Sequence, residues 1–285
     1  MATLRQLRNR VASIKSIQRV TSGMYMVAAA KLRRAQDAIG STRPYAQQLD
    51  RLLHHLTAGI EESENPLLRP RQNVRRGAMV VVTADRGLCG GFNGAIGRRA
   101  LAEMAQHTDV EHQLVSVGRK GRDFLRHRGH AVTRHYADVF GRLRFAKAVE
   151  IGQELTSSYV RGEVDRVVLV FSEFRSVAQQ APVVTQLLPI TPAQEQARPT
   201  EYIFEPEPEV LLETLVPRYV SFQIWRALLE SNAGEQAARM QSMDNATKNA
   251  GDLIQQLTRE MNKQRQTSIT LELMDIVGGA EAVAH

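Results

Sequence analysis

Residues 219–279 read YVSFQIWRALLESNAGEQAARMQSMDNATKNAGDLIQQLTREMNKQRQTSITLELMDIVGG, a stretch of sixty-one residues with no proline. Before the closing pair, its glycines Gly234 and Gly251 stand alone. Taken in sevens, one series is Leu229, Gln236, Met243, Ala250, Leu257, Gln264 and Leu271. Its companion is Ala233, Met240, Thr247, Ile254, Met261, Ser268 and Asp275. A strict seven-residue spacing keeps one seam turned towards a partner helix, so these are a and d positions of a coiled coil. As a single helix the stretch is about 90 Å long at ~1.5 Å per residue. A compact domain does not use such a length; something must lie along it.

The partner is expected at the other end of the chain. Leu4, Leu7, Val11, Ile14, Gln18, Thr21, Tyr25, Ala28, Leu32, Ala35 and Ile39 alternate at spacings of three and four. Pro44 is expected to interrupt this helix at or near a bend, after which Leu49, Leu52, Leu53 and Leu56 resume an apolar face. The seam turns polar and small at Gln18 and Thr21, as the C-terminal seam does at Gln264 and Ser268. Two helices whose seams weaken alike, with a domain between them to turn the chain round, are expected to pair antiparallel.

Between them the pattern changes. After a polar linker from Gly59 to Arg76, residues 78–83 form a short, continuously apolar run, the mark of a strand buried on both faces. Residues 113–117 and 166–171 read alike, with weaker candidates at Ala131-Val132 and Val183-Val184. Helical patterns fall at 96–105, 121–128 and 143–159. Alternation of this kind predicts a Rossmann-like, mostly parallel α/β sheet with helices on both faces. The predicted fold class is therefore α/β plus a long antiparallel coiled coil, divided into 1–58, 76–205 and 209–285. Five of the ten prolines fall between Pro189 and Pro208, marking a loop with at most a short strand near Tyr202-Ile203-Phe204. Pro217 is expected either to kink the long helix or to begin its main portion.

Composition narrows the function classes. No run approaches the ~20 apolar residues of a membrane span. The start, Met1-Ala2-Thr3-Leu4-Arg5, lacks the apolar core of a secretory signal, and no removable leader is expected. The single Cys89 excludes an internal disulfide and fits a reducing compartment. The net charge of +7 is uneven: residues 1–56 carry ten Arg/Lys against Asp37 and Asp50, whereas residues 209–285 carry seven against ten acids. A basic helix can meet nucleic acid, an anionic surface or an acidic protein, or simply be solvated.

Chemistry is hard to find. Asp85-Arg86-Gly87-Leu88-Cys89-Gly90-Gly91-Phe92-Asn93 follows the first strand, where a nucleotide-binding fold places its phosphate loop. Yet it matches neither G-x-G-x-x-G nor G-x-x-x-x-G-K-[ST], so a tight turn with positive φ at glycine is the better reading. Cys89 beside Arg86, with His107 or His112 as base, is a weaker idea than a small buried residue. The eight histidines show no zinc spacing, and His127, His130 and His135 read as surface or partly buried. No carboxylate pair stands out. The residues alone leave a mechanical shaft close to a basic coiled-coil nucleic-acid-binding or scaffold protein, with a nucleotide-dependent enzyme behind both.

Whole words of sequence separate them. Met24-Tyr25-Met26-Val27-Ala28 and Lys31-Leu32-Arg33-Arg34-Ala35-Gln36 come first, then the glycine loop. Glu235-Gln236-Ala237-Ala238-Arg239-Met240, Asn245-Ala246-Thr247-Lys248-Asn249-Ala250, Asn262-Lys263-Gln264-Arg265-Gln266 and Ile276-Val277-Gly278-Gly279-Ala280 follow in order. Across nearly the whole chain this resembles the gamma subunit family of F-type ATP synthases. The resemblance implies a non-catalytic central-stalk rotor that couples ion flow through a membrane c-ring to ATP synthesis or hydrolysis. It implies alpha and beta subunits in an alternating hexamer, an epsilon subunit and the c-ring as partners, and no nucleic acid. Cofactors would be none on this chain, with Mg-ATP, Mg-ADP and phosphate on other subunits. Rotor–stator contacts would be Met24, Arg239, Arg265, Gln266, Thr270 and Glu272, and the c-ring contact Phe204 and Glu205. Chloroplast members carry an inserted cysteine pair, which is lacking here. A bacterial enzyme is therefore expected, peripheral on the cytoplasmic side of the plasma membrane. Two departures stand out: Gly234 where the family usually has serine, expected to cost ~1 kcal/mol against alanine and to soften the shaft, and Tyr25 where a charged residue is common.

Overall fold

The computed structural model describes residues 3–58, 65–190 and 207–284. Its elements are α1 (Leu4–Ala58), β1 (Arg76–Val82), α2 (Phe92–Gln106), β2 (Glu111–Val117), α3 (Arg119–Arg126), β3 (Val132–Tyr136), α4 (Phe145–Val160), β4 (Arg166–Phe174), β5 (Gln180–Leu188) and α5 (Pro208–Ala284). The chain separates into two compact units. One comprises Met1–Ala28 with Met240–His285, the other Ala29–Arg239.

The first unit is a pair of helices. Leu7, Val11 and Leu257 are buried together, with Ile14, Ile254 and Met261 packed around them. Further along, the Thr247 hydroxyl lies 2.8 Å from Thr21 Oγ1. Since α5 numbers fall as α1 numbers rise, the pair is antiparallel, as the seams predict. Gly251 supplies a close approach: a Cβ there would lie 3.2 Å from Gln18 Nε2. The heptad positions Met243, Ala250 and Leu257 are buried, whereas from Arg265 to Gly279 every residue is exposed.

The second unit is a five-stranded sheet of order β3-β2-β1-β4-β5. β1 runs parallel to β2 and β4, β2 parallel to β3, and β5 antiparallel to β4. Alternate residues of β1 face opposite ways, as a pleated strand demands. Ala78, Val80 and Val82 join one core with Ile151, Leu155 and Tyr159 of α4, Leu53 and Leu56 of α1, and Leu212, Val216, Val220 and Ile224 of α5. Met79 and Val81 join the other with Phe92, Ile96 and Ala100 of α2 and Leu125 of α3. Full burial of β1 on both faces explains its unbroken apolar run.

Two expectations, on Pro44 and Tyr25, need correction, and one of the two alternatives for Pro217 is removed. Pro44 does not end α1; it lies inside the helix, where it can offer no N–H to the preceding turn. The hydroxyls of Ser41 and Thr42 both donate to the Ala38 carbonyl just before it, at 3.0 and 2.7 Å. Pro217 does not begin the long helix, because α5 starts at Pro208 and continues through it. Tyr25 is exposed rather than in the seam, which passes through half-buried Met24 instead.

Candidate functional site

The turn after β1 is built to stay put. Leu88 and Gly90 both adopt left-handed φ, 63° and 55°. The positive φ expected at a glycine is therefore present, and a leucine shares it at a steric cost. Asn93 at the start of α2 ties the turn together. Its Oδ1 accepts the Ala84 N–H at 2.9 Å, and its Nδ2 donates to the Cys89 sulfur at 3.2 Å. Asp85 Oδ1 accepts the N–H groups of Arg119 and Asp138, at 3.2 and 3.0 Å. The side chains of Asp85 and Asn93 are thus spent on holding the turn itself.

Cys89 is buried, and burial pushes its thiol up, with the Glu235 carboxylate adding to the effect. Such a thiol is a poor nucleophile. The proposed base His107 sits just beyond the far end of α2, against Glu103 at 3.3 Å. A fifteen-residue helix separates the two, about 22 Å at 1.5 Å per residue. His112 Nε2 lies 3.2 Å from the His107 carbonyl oxygen, at that same distant end. Among the described residues no three potential ligands gather to hold a metal.

A polar group the sequence reading did not foresee as buried stands behind the turn. Glu235 is 4% exposed on α5. It pairs with Arg239 at 2.7 Å, and the other end of that guanidinium donates to the Gly87 carbonyl at 3.1 Å. Burial pushes the Glu235 carboxyl up, while Arg239 pulls it back down. Next to it, Gln236 Oε1 is buried without a partner among the described residues. The four-residue spacing of Glu235 and Arg239 was legible as a helical ion pair; its burial was not. Gly234 faces the sheet here: a Cβ would lie 3.0 Å from Ser172 Oγ and 3.2 Å from Phe92 Cε2. The missing side chain therefore permits a close approach of α5 to β4 and α2.

The other expected contact residues lie elsewhere. Met24 is half-buried on α1, between exposed Tyr25 and Met26 and the seam residue Thr21. Arg265, Gln266, Thr270 and Glu272 are all exposed on α5, with the Thr270 hydroxyl turned to the Gln266 carbonyl at 3.0 Å. Around them Ile269, Leu271, Leu273, Met274, Ile276 and Val277 are each at least half exposed. Phe204 and Glu205, and the short strand expected beside them, lie outside the described residues. No described helix is long and apolar enough to cross a membrane.

Known proteins carry the same architecture. A family model described as ATP synthase matches residues 3–283. The ATP synthase gamma chain of Chlorobaculum parvum is 48% identical over 290 residues, covering 99% of each chain. That of Anaeromyxobacter sp. is 47% identical over 290 residues, covering 99% of this chain and all of the other. Among solved structures, a chain of the Euglena gracilis mitochondrial ATP synthase, from a structure of its OSCP, F1 and c-ring, shares the fold. Its TM-score is 0.70 at 18% identity, over 98% of this chain and 94% of that one. A chain from the central stalk and c-ring of the Tetrahymena thermophila mitochondrial enzyme matches with TM-score 0.61 at 24% identity, over 80% and 99%. With an antiparallel helix pair, a mostly parallel five-stranded sheet and near-identical length to relatives almost half identical, the chain belongs to the ATP synthase gamma-chain family.

Proposed function

We infer that the chain acts as the rotating central-stalk subunit of an F-type ATP synthase and carries no catalytic residues of its own. The observation that supports this best is the full-length match to gamma chains at 48% identity. The antiparallel seam in the first unit suits the role, because two paired helices resist torsion better than one. The basic residues of α1 do not favour the nucleic-acid alternative: apolar seam positions such as Leu7 and Val11 run through them and are covered by α5.

The finer assignments rest on the family. The partners are an alternating hexamer of alpha and beta subunits, an epsilon subunit and the c-ring, with Mg-ATP, Mg-ADP and phosphate held by other subunits. The setting is the cytoplasmic face of a bacterial plasma membrane. Residues 1–58 and 209–285 serve as the N- and C-terminal shaft helices, and 76–205 as the α/β domain. An acidic loop of a catalytic subunit presses on the shaft near Met24 and Arg239; Arg265, Gln266, Thr270 and Glu272 meet a second loop, and Phe204 and Glu205 meet the ring.

Physical chemistry limits how strong such contacts can be. A close ion pair at effective ε ≈ 20 is worth ~4 kcal/mol before desolvation and screening, enough to hold one angle if it persisted through a turn. An apolar Met24, flanked by Lys15, Arg19, Lys31, Arg33 and Arg34, attracts an acidic loop without fixing it. Met24→Lys should therefore leave the complex assembled while lowering ions pumped per ATP hydrolysed. Reconstituted, fully assembled enzyme in vesicles gives the readout. Normal coupling would overturn the torque role of Met24, and failure to assemble would make it a packing residue.

A further inference from the structure

Charge gathers at one free edge of the sheet. Residues 119–147 carry nine Arg/Lys against Asp123 and Asp138, a net +7 that equals the net charge of the whole chain. They form α3, the turn into β3, β3 itself, the segment that leaves it and the start of α4.

Both acids of this segment are already taken, Asp138 by Arg119 at 2.6 Å and Asp123 by Arg122 at 3.0 Å. Arg134 and Lys147 reach Glu154 and Glu150 on α4. Lys120, Arg126, Arg128, Arg142 and Arg144 remain. All five are exposed, and none makes an ion pair or a side-chain hydrogen bond among the described residues. Arg128 lies over the Phe124 ring, 3.8 Å from its centroid, a contact that holds the guanidinium without using its N–H donors. An exposed surface usually mixes the two signs; here one sign is left over.

The strand between these cations is unpaired on one side. β3 is the end strand of the sheet, with β2 as its single neighbour. Apart from the ladder to β2, the bond found on its backbone is the Gly118 N–H to the Tyr136 carbonyl, at 2.8 Å. Thr133 and Arg134 are exposed. The turn that leads into β3 carries Arg126 and Arg128, and the segment that leaves it carries Arg142 and Arg144. An open row of backbone donors and acceptors thus has unpaired guanidinium groups at both ends. The cavity against β3 is about 20 Å³, far below the ~300 Å³ where small-molecule sites begin.

We propose that the β3 edge is a docking site for an acidic, extended polypeptide segment of a partner protein, added to the sheet as a further strand. Main-chain bonds to β3 would supply affinity, and carboxylates meeting the arginines would supply selectivity. A second copy of this chain is disfavoured, because like charges on an edge repel its own kind. A phosphate-bearing surface would use the cations but leave the strand edge idle; an acidic strand uses both.

The test is fluorescence anisotropy on the purified full chain with three labelled octapeptides: alternating Glu-Thr, the same peptide methylated at every backbone nitrogen, and alternating Lys-Thr. The Glu-Thr peptide should bind saturably at one site and slow amide exchange in residues 132–136. The methylated peptide keeps the charge but cannot donate to a ladder, and should bind at least tenfold more weakly; the Lys-Thr peptide should not bind. Arg126→Glu with Arg128→Glu should weaken the Glu-Thr peptide at least tenfold, with the fold intact by circular dichroism. If that variant misfolds, Arg142→Glu with Arg144→Glu takes its place. Arg8→Glu with Arg10→Glu, the same charge change at exposed positions on α1, should leave binding unchanged. Absence of saturable binding overturns the proposal, as does equal binding of the methylated peptide or equal loss in the α1 variant. Tighter binding of phosphatidylglycerol vesicles or duplex DNA at the same salt also overturns it, making the edge a lipid or nucleic-acid surface.

Discussion

The Thr21 hydroxyl donates to the Gln18 carbonyl in its own helix at 3.1 Å, which leaves its oxygen free to accept the Thr247 hydroxyl at 2.8 Å from the other helix. Thr247 has an intrahelical alternative, the Met243 carbonyl, also at 2.8 Å. The polar layer in the seam is thus able to switch between a bond across the pair and one along it. Removing the Thr247 hydroxyl leaves the Thr21 oxygen without its donor, whereas replacing both with valine keeps the shape. Thr247→Val should cost about 1 kcal/mol, and adding Thr21→Val should recover part of that loss. Denaturant unfolding of the two singles and the double gives the interaction energy directly. Simple additivity would mean that the two hydroxyls do not cooperate.

Arg239 is the second test. Its side chain is 13% exposed and engaged by Glu235 and the Gly87 carbonyl. Truncation to alanine leaves a buried carboxylate without its cation, a change that typically costs 3–5 kcal/mol, so about 3 kcal/mol is expected here. Glu235→Leu in the same chain should restore much of it, since both charges are then gone. A thermal-unfolding comparison of Arg239→Ala with the double variant checks this, and equal instability of the two would show that Arg239 works mainly through Gly87.

Tyr219 supplies a pH dependence. Burial, together with the neighbouring Asp50 charge and hydrogen bond, pushes its phenol up to about 12, against about 10 in an unfolded chain. A raised pKa means stability that is complete below the unfolded value and lost as pH climbs to the folded one. The contribution should therefore fade between about pH 10 and about 12. Lysines titrate in the same range, so the informative quantity is the difference from Tyr219→Phe. That difference in denaturant midpoint should shrink across this window, and a constant difference would contradict the assignment.

Gly97 on α2 faces the ring of Phe124 on α3, and a Cβ added there would stand 2.3 Å from two ring carbons. An aromatic ring wedged in a helix–helix contact cannot yield by that much without moving its helix. Gly97→Ala should destabilise by about 1–3 kcal/mol, the usual cost of overpacking, despite alanine's better helix propensity. Chemical denaturation decides the sign. A more stable variant would show that α3 shifts freely.

Periodicity carried most of the fold. The seven-residue series predicts the buried positions Met243, Ala250 and Leu257, and the apolar runs predict β1, β2 and β4 within a few residues. Tyr25 misled because three- and four-residue steps both bridge Thr21 and Ala28; only packing decides between positions 24 and 25. Pro44 misled because its cost is local, and a long helix with Leu49, Leu53 and Leu56 buried beyond it outweighs one lost bond. Pairs four apart, such as Arg226–Glu230 and Glu235–Arg239, are visible in the sequence as surface chemistry. The burial of Glu230, Glu235 and Arg239 is not: α5 approaches the sheet closely, which Gly234 permits and no local pattern announces.

The exposed run from Arg265 to Gly279 has a consequence for the free subunit. Fifteen residues of helix with no buried side chain are at the length where helices in water are only marginally stable. Released from its surroundings, this segment should exchange its amide hydrogens within the dead time of a labelling experiment, while Leu257 and the seam below it stay protected. Its order is then on loan from whatever encloses it. Enclosure must offset the conformational entropy of about fifteen residues, at ~1–2 kcal/mol each for the backbone where they would otherwise be unwound. Part of the free energy of assembly is in that sense a folding free energy deferred.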